Sequence, residues 1–220
     1  MTIHILSADN DESPPRIFEG DEIVFATHNA GKVKEIRELL GMRVKFVTIA
    51  GDYGLDAPAE TGTTFVENAL IKARFVAEKT GKVALADDSG ICMAAIDGQP
   101  GVYAADWAEK PDGTRDFGMA MQKAHDMAAE KHARWEAAPK EAYFVSCLAL
   151  AWPDGHAEVV EGQSHGTLVW PPRGELGFGY DPMFVPKDDT RTYGEMPPED
   201  KKKTSHRAEA FRLLFARCFR

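Results

Sequence analysis

EIVFATHNAGKVKEIRELL, Glu22 to Leu40, changes its periodicity midway. Its first part, EIVFAT (22–27), is a short apolar run of β-formers, and its last, KVKEIRELL (32–40), spaces Val33, Ile36 and Leu40 as a helix does. The turn-like HNAG (28–31) lies between them, so the stretch predicts strand, loop, helix. Further on, Thr64-x-x-Glu67 is a capping box, and Val66, Ala69, Leu70, Ala73 and Ala77 form one apolar stripe. The run KVALA (82–86) then predicts a strand. Alternation of strands and helices predicts an α/β protein with a mixed sheet.

Outward from this core, residues 114–135 have helix-favouring composition and YFVSCLALAW (143–152) predicts a central strand. Residues 157–170 suggest a hairpin around Gly162 to Gly166. After the loop that carries GFGYDP, a final helix from about Ser205 places Ala208, Phe211, Leu214, Phe215 and Cys218 on one side. Residues 8–20 are polar and proline-containing, so 1–20 read as an N-terminal extension and 21–220 as the domain.

The composition, 44% hydrophobic and 28% charged over 220 residues, is that of an ordinary globular protein and excludes a disordered chain. The sequence has neither an apolar run long enough for a spanning helix nor a secretory leader, which predicts a cytoplasmic protein without a membrane partner. Cys92, Cys147 and Cys218 are odd in number and widely spaced, suiting neither a disulfide framework nor a zinc site. With 26 basic and 35 acidic residues the net charge is −9, a field that repels nucleic acid. A phosphorylated small molecule remains compatible where a few cations gather and a metal supplies the remaining charge.

Five stretches carry candidate chemistry. In THNAGK (27–32), backbone N–H groups at a helix start, a glycine and Lys32 suit a phosphate, although Asn29 as a simple cap and Lys32 as a solvated cation fit equally. In ETGTTFVENALIKA (60–73), helical projection groups Phe65, Asn68 and Lys72 toward one cleft. The bland alternative makes Phe65 core and Lys72 surface, and capping accounts for Glu67. In ALADDSG (84–90), two aspartates end an apolar strand. Isolated carboxylates are costly to bury, so the pair marks a strand end in water or a metal site. Strand alternation gives Asp87 and Asp88 different jobs, one facing metal and water while the other anchors the turn. In GELGFGYDP (174–182), glycines bracket Phe178 so that its ring is able to lie against a flat base, or form a plain turn. In KKKTSHRAEA (201–210), cations open the last helix, where they are unfavourable and ask for an anion, unless they form a solvated face. His125 and His132 read as an exposed helix face.

Taken in order, T-x-N-x-x-K, E-T-G-x-T-F-x-E-N-A-x-x-K-A, D-D-S-G, G-x-P-G-V-Y, G-F-G-Y-D-P and S-H-R resemble the inosine/xanthosine triphosphate pyrophosphatases, from about Ile23 to the C-terminal helix. The resemblance implies an elongated, mixed-sheet, two-lobed α/β fold with a central cleft, and commonly a homodimer. It implies magnesium-dependent hydrolysis of ITP, dITP and XTP to the monophosphate and pyrophosphate, keeping them out of DNA and RNA. By this resemblance Thr27, His28, Asn29, Ala30, Gly31 and Lys32, with Lys72 and Lys201, hold phosphates. Glu60 and Asp88 bind Mg2+, and Asp88 is also the base for water. Ser89 touches substrate, while Phe178, Gly179, Tyr180, Asp181, His206 and Arg207 form the base pocket. His28 departs from the small residue frequent at its position, Asp106 stands where arginine is often found, and residues 1–20 have no counterpart. The alternatives are a pyrophosphatase for other modified nucleotides and a non-catalytic nucleotide sensor. S-H-R favours purines, and the presence of both Glu60 and Asp88 favours catalysis.

Overall fold

The computed structural model describes residues 5–7, 14–27, 30–41 and 43–220. Its elements in chain order are β1 (Ile5–Ser7), β2 (Glu22–Phe25), α1 (Ala30–Leu40), β3 (Phe46–Ile49), α2 (Phe65–Thr80), β4 (Ala84–Met93), β5 (Pro100–Gly101), α3 (Phe117–Lys131), β6 (Glu141–Ala151), β7 (Ala157–Leu168), β8 (Phe184–Pro186), α4 (Pro198–Thr204) and α5 (His206–Cys218). The chain divides into two compact units, Met1–Asp88 with Ser146–Gly162 and Ala210–Arg220, and Ser89–Val145 with Gln163–Glu209. Among the described residues no helix is long and apolar enough to cross a membrane.

In the first unit the strands lie in the order β1-β7-β6-β4-β2-β3. β2 is parallel to β3 and to β4, with Val24 opposite Thr48 and Ala84, while β1 is antiparallel to β7. Period-2 alternation sorts the side chains onto two faces. Ile23, Phe25, Leu85, Leu148 and Leu150 pack with Ile36 and Leu40 of α1 and Phe211 and Leu214 of α5. Val24, Ala26, Ala84, Ala86, Cys147 and Ala149 pack with Ala69, Ala73, Val76 and Ala77 of α2. Small residues on α2 let it approach the sheet closely. The capping box starts α2 as anticipated: Thr64 Oγ1 accepts the Glu67 N–H at 3.2 Å and Glu67 Oε2 accepts the Thr64 N–H at 3.1 Å. Glu67 is a cap, and Gly81 closes the helix with φ +66°.

The second unit has its own core, in which Ile91 and Met93 of β4, Phe144 of β6, Phe184 of β8, Tyr193 and the Ala120, Ala124 and Ala128 face of α3 are buried. Here β5 pairs with β4, and β8 with β7, both antiparallel. His125 and His132 are not an exposed face. His125 stacks on Trp170 at 4.2 Å, and His132 Nε2 lies 3.0 Å from the Ala95 carbonyl oxygen, so both serve packing.

Three expectations about elements are corrected. β4 does not end at Ala86 but continues to Met93, because the aspartates it carries are buried against lysines instead of released to water. The anticipated hairpin within 157–170 is a single strand, and the reversal is at Trp152–His156, where the Trp152 N–H bonds to the His156 carbonyl at 2.9 Å. Gly166 marks a close approach and not a turn: a Cβ there would meet Val185 O of β8 at 2.1 Å. Lys201, Lys202 and Lys203 do not open the last helix. They form the last turn of a separate helix, α4, which starts at Pro198 and is broken by extended Ser205. Cations are favourable there, so their position demands no anion. Within the segment read as an N-terminal extension, Ile5–Ser7 pairs with β7. β3, from FVTI, was not anticipated.

Candidate active site

The parallel order of β2, β3 and β4 places the loop after Phe25 at a strand's carboxyl end, where open α/β sheets bind ligands. α1 begins at Ala30, has no acidic residue in its first turn, and brings Lys32 toward β4. His28 and Asn29 lie outside the described residues. The Thr27 N–H bonds to the Phe25 carbonyl at 3.0 Å, and Ala30 and Gly31 open the helix.

The face alternation of β4 decides the work of its two aspartates. Asp87 follows Leu85 onto the α1 face, and its Oδ2 lies 3.1 Å from Lys32 Nζ. Lys32 also donates to the Asp87 carbonyl at 3.2 Å. Asp88 follows Ala84 and Ala86 onto the α2 face, where Lys72 donates to its Oδ1 at 2.6 Å. Lys72 further donates to Glu60 Oε2 at 2.9 Å and to the Asp87 carbonyl at 3.4 Å. An ammonium has three N–H donors. In this arrangement Lys72 uses them all to gather two carboxylates and a carbonyl, which makes it first an organiser of the acidic pair. Asn68, predicted on the same flank, is buried and accepts the Gly62 N–H at 2.8 Å, fixing the E-T-G turn that delivers Glu60. Phe65 is half-buried against the α2 core.

Burial dominates the electrostatics. Asp88 is 7% exposed, and desolvation outweighs the attraction of Lys72, raising its pKa to about 6. Glu60 is nearly half exposed; burial pushes it up but Lys72 pulls it further down, so it stays below the usual carboxylate range. For Lys72, burial opposes the charge, yet Asp88 and Glu60 outweigh it and hold the ammonium above its ordinary value. Asp88 Oδ2 is buried without a hydrogen-bond partner, an expensive state for a carboxylate oxygen. Among the described residues no group of three or more His, Cys, Asp or Glu is placed to hold a metal ion. Two carboxylates with one orphaned oxygen nevertheless fit a hard divalent cation that keeps several waters and takes further ligands from phosphates.

A second cluster lies in the second unit. Arg207, 1% exposed, donates to Ser89 Oγ at 3.4 Å and holds its guanidinium carbon 5.7 Å from the centre of the exposed Phe178 ring. Lys201 Nζ lies 5.0 Å from the same ring and donates to Asp181 Oδ2 at 2.6 Å. That oxygen also accepts the Phe178 N–H at 2.7 Å, and a Cβ at Gly177 (φ +74°) would meet it at 2.1 Å. The glycine-rich loop is therefore closed around Asp181, whose carboxyl is pushed up by burial and only partly offset by Lys201. Buried His206 stacks on Phe144 at 4.9 Å. The Tyr193 hydroxyl fixes the break between α4 and α5 by donating to the Thr204 carbonyl at 2.9 Å.

The structure brings Lys32, Glu60, Lys72 and Asp88 together in one unit and Ser89, Phe178, Asp181, Lys201, His206 and Arg207 in the other. Lys201, expected on phosphates, sits with the base-pocket group. The Tyr180 side chain is committed to the core, donating to the Ala104 carbonyl at 3.1 Å and meeting Phe117 edge-on, while Gly179 carries the loop's turn with φ +69°. Asp106 is exposed. Ser146, which bonds to Asp87, was missed; its signal was a hydroxyl inside an apolar strand.

Parallel strands β2, β3 and β4, with lysines of α1 and α2 drawn onto the buried aspartates of β4, define an α/β protein with a buried charged cluster in its sheet. The chain belongs to the Ham1 family, whose family model matches residues 23–217. It is 52% identical over 205 residues to the dITP/XTP pyrophosphatase of Zymomonas mobilis, covering 93% of this chain and 95% of that one. The dITP/XTP pyrophosphatase of Ruegeria pomeroyi is likewise 52% identical, over 93% of this chain and 98% of its own. Among solved structures, a HAM1 protein from Coxiella burnetii superposes with a TM-score of 0.78 at 36% identity, covering 89% of this chain and 96% of that chain. The Ham1 protein of Staphylococcus aureus gives 0.75 at 30% identity, with the same coverage.

Proposed function

We propose that this chain hydrolyses the deaminated purine nucleotides ITP, dITP and XTP to the nucleoside monophosphate and pyrophosphate, with Mg2+ held by Glu60 and Asp88. The observation that carries the reading is the buried Asp88, with one oxygen on Lys72 and the other unpartnered, beside Glu60. The names and coverage of the relatives support the substrate class. A divalent cation bound there supplies charge neutralisation and Lewis acidity. Asp88, with a pKa raised to about 6 by burial, suits a general base working near neutral pH. It takes the proton of a water that adds to the α-phosphorus, the bond from that phosphorus to the bridging oxygen breaks, and pyrophosphate departs. Lys32 and the start of α1 steady the phosphates.

For the base, Phe178 offers an exposed ring, and His206 and Arg207 donate to the 6-oxo group. The 6-amino group of adenine presents a donor to those donors, a mismatch worth factors of up to about 10⁴. The test is pyrophosphate release across ITP, dITP, XTP, GTP and ATP. ITP and XTP are expected to turn over far faster than ATP, and equal rates for ATP and ITP refute the pocket. Homodimerisation rests on the family resemblance and is checked by sedimentation, and a cytoplasmic site of action rests on the sequence reading alone.

A further inference from the structure

Within FVSCLALA (144–151) the hydroxyl of Ser146 stands among apolar side chains, on a strand in the middle of the sheet. It is fully buried and donates to Asp87 Oδ1 at 2.9 Å. The Asp87 side chain is itself fully buried, its other oxygen is 3.1 Å from Lys32 Nζ, and its carbonyl accepts from both Lys32 and Lys72. Alternation explains the meeting: Ser146, Leu148 and Leu150 share the α1 face with Leu85 and Asp87. Hydrogen bonds at both oxygens restrict the χ2 torsion of a buried carboxylate, which is broad when unrestrained, and so set the direction in which Oδ2 meets the attached ammonium.

We propose that Ser146 is a positioning residue for the triphosphate. By engaging Oδ1 it locks the Asp87 carboxylate with Oδ2 toward α1, and Asp87 in turn holds the Lys32 ammonium at the place where phosphate arrives. Ser146 touches no reacting group and acts through Asp87 and Lys32. The inference rests on the reading of Lys32 as a phosphate ligand.

The test is a double-mutant cycle between Ser146→Ala and Lys32→Ala, read by calorimetry with inorganic tripolyphosphate and by ITP kinetics, with far-UV circular dichroism to confirm folding. Ser146→Ala is expected to weaken tripolyphosphate binding about tenfold, the effect of loosening one charge-assisted hydrogen bond, and to raise KM for ITP similarly while kcat stays within about twofold. Ser146→Cys, a weaker donor of similar size, falls between parent and alanine and supplies the comparison if the alanine variant does not fold. In the Lys32→Ala background the Ser146→Ala change is expected to add less than about twofold, since the lever it acts on is gone. A full effect in that background, no effect in the parent background, or a parent that does not bind tripolyphosphate overturns the proposal. Failure of the proposed function reads differently: a parent that releases no pyrophosphate from ITP yet shows the coupled cycle loses the activity and keeps the positioning.

Discussion

Asp88 is buried with one lysine on one oxygen and no hydrogen-bond partner on the other, and its consequences follow from that imbalance. Asp88→Asn keeps the shape and removes the charge, so it is expected to fold and to lose most turnover, by a factor on the order of 10² or more. Near-parent turnover refutes the assignment. The pH dependence has a definite sign. A carboxyl whose folded pKa is raised from 3.8 to about 6 stabilises the fold fully below about 3.8, and that contribution is lost as pH rises through about 6. Asparagine has no such loss. In urea titrations with chelator present, the stability difference between parent and Asp88→Asn is expected to move in favour of the variant by up to about 3 kcal/mol between pH 4 and pH 7. Parallel pH curves for the two proteins would remove the claim that burial sets this group's pKa. Added magnesium favours the ionised form, so the acid limb of kcat/KM is expected to shift to lower pH as magnesium rises, checked by profiles at two metal concentrations.

Among the elements, α2 shows local code and tertiary role in agreement. Thr64 and Glu67 satisfy each other's backbone donors, and two turns on the same helix delivers Lys72 between Glu60 and Asp88. Thr64→Ala is expected to cost about 1 kcal/mol and lower Tm by roughly 2–4 °C, with kcat unchanged, because it removes a cap and no contact to the acidic pair. A melt that overlays the parent's would mean that Glu67 caps the helix without its partner. α4 and α5 show the opposite case. A lysine run followed by S-H-R reads as the start of one helix only while Pro197 and Pro198 are ignored. Pro198 supplies the fixed φ of a first helical turn, so the helix begins there and the lysines fall at its end. β7 teaches the same lesson, since its Gly166 answers the approach of β8 and leaves the turn to Pro153-Asp154-Gly155.

For the molecule as a whole, the decisive question is which anhydride bond opens. With Asp88 and Glu60 placed beside Lys72, water is expected to attack the α-phosphorus, so hydrolysis of ITP in ¹⁸O-labelled water puts the label in the monophosphate and none in pyrophosphate. Label in orthophosphate, or a diphosphate product, refutes the mechanism even if ITP is the best substrate. The α/β class, the strand and helix around THNAGK, the capping of α2 and the paired aspartates were all legible in the amino-acid order, because propensity, capping and period are properties of neighbours along the chain. Strand alternation even separated Asp87 from Asp88. It was the assembled sheet that assigned partners: Lys32 and Ser146 to Asp87, Lys72 to Asp88, Lys201 to Asp181. Those pairs join residues from different strands, helices and loops, and no local pattern encodes which of several lysines a buried carboxylate meets. Where β4 ends and where β7 turns were decided the same way, by neighbouring strands and buried ion pairs that outweigh what glycine and aspartate favour locally.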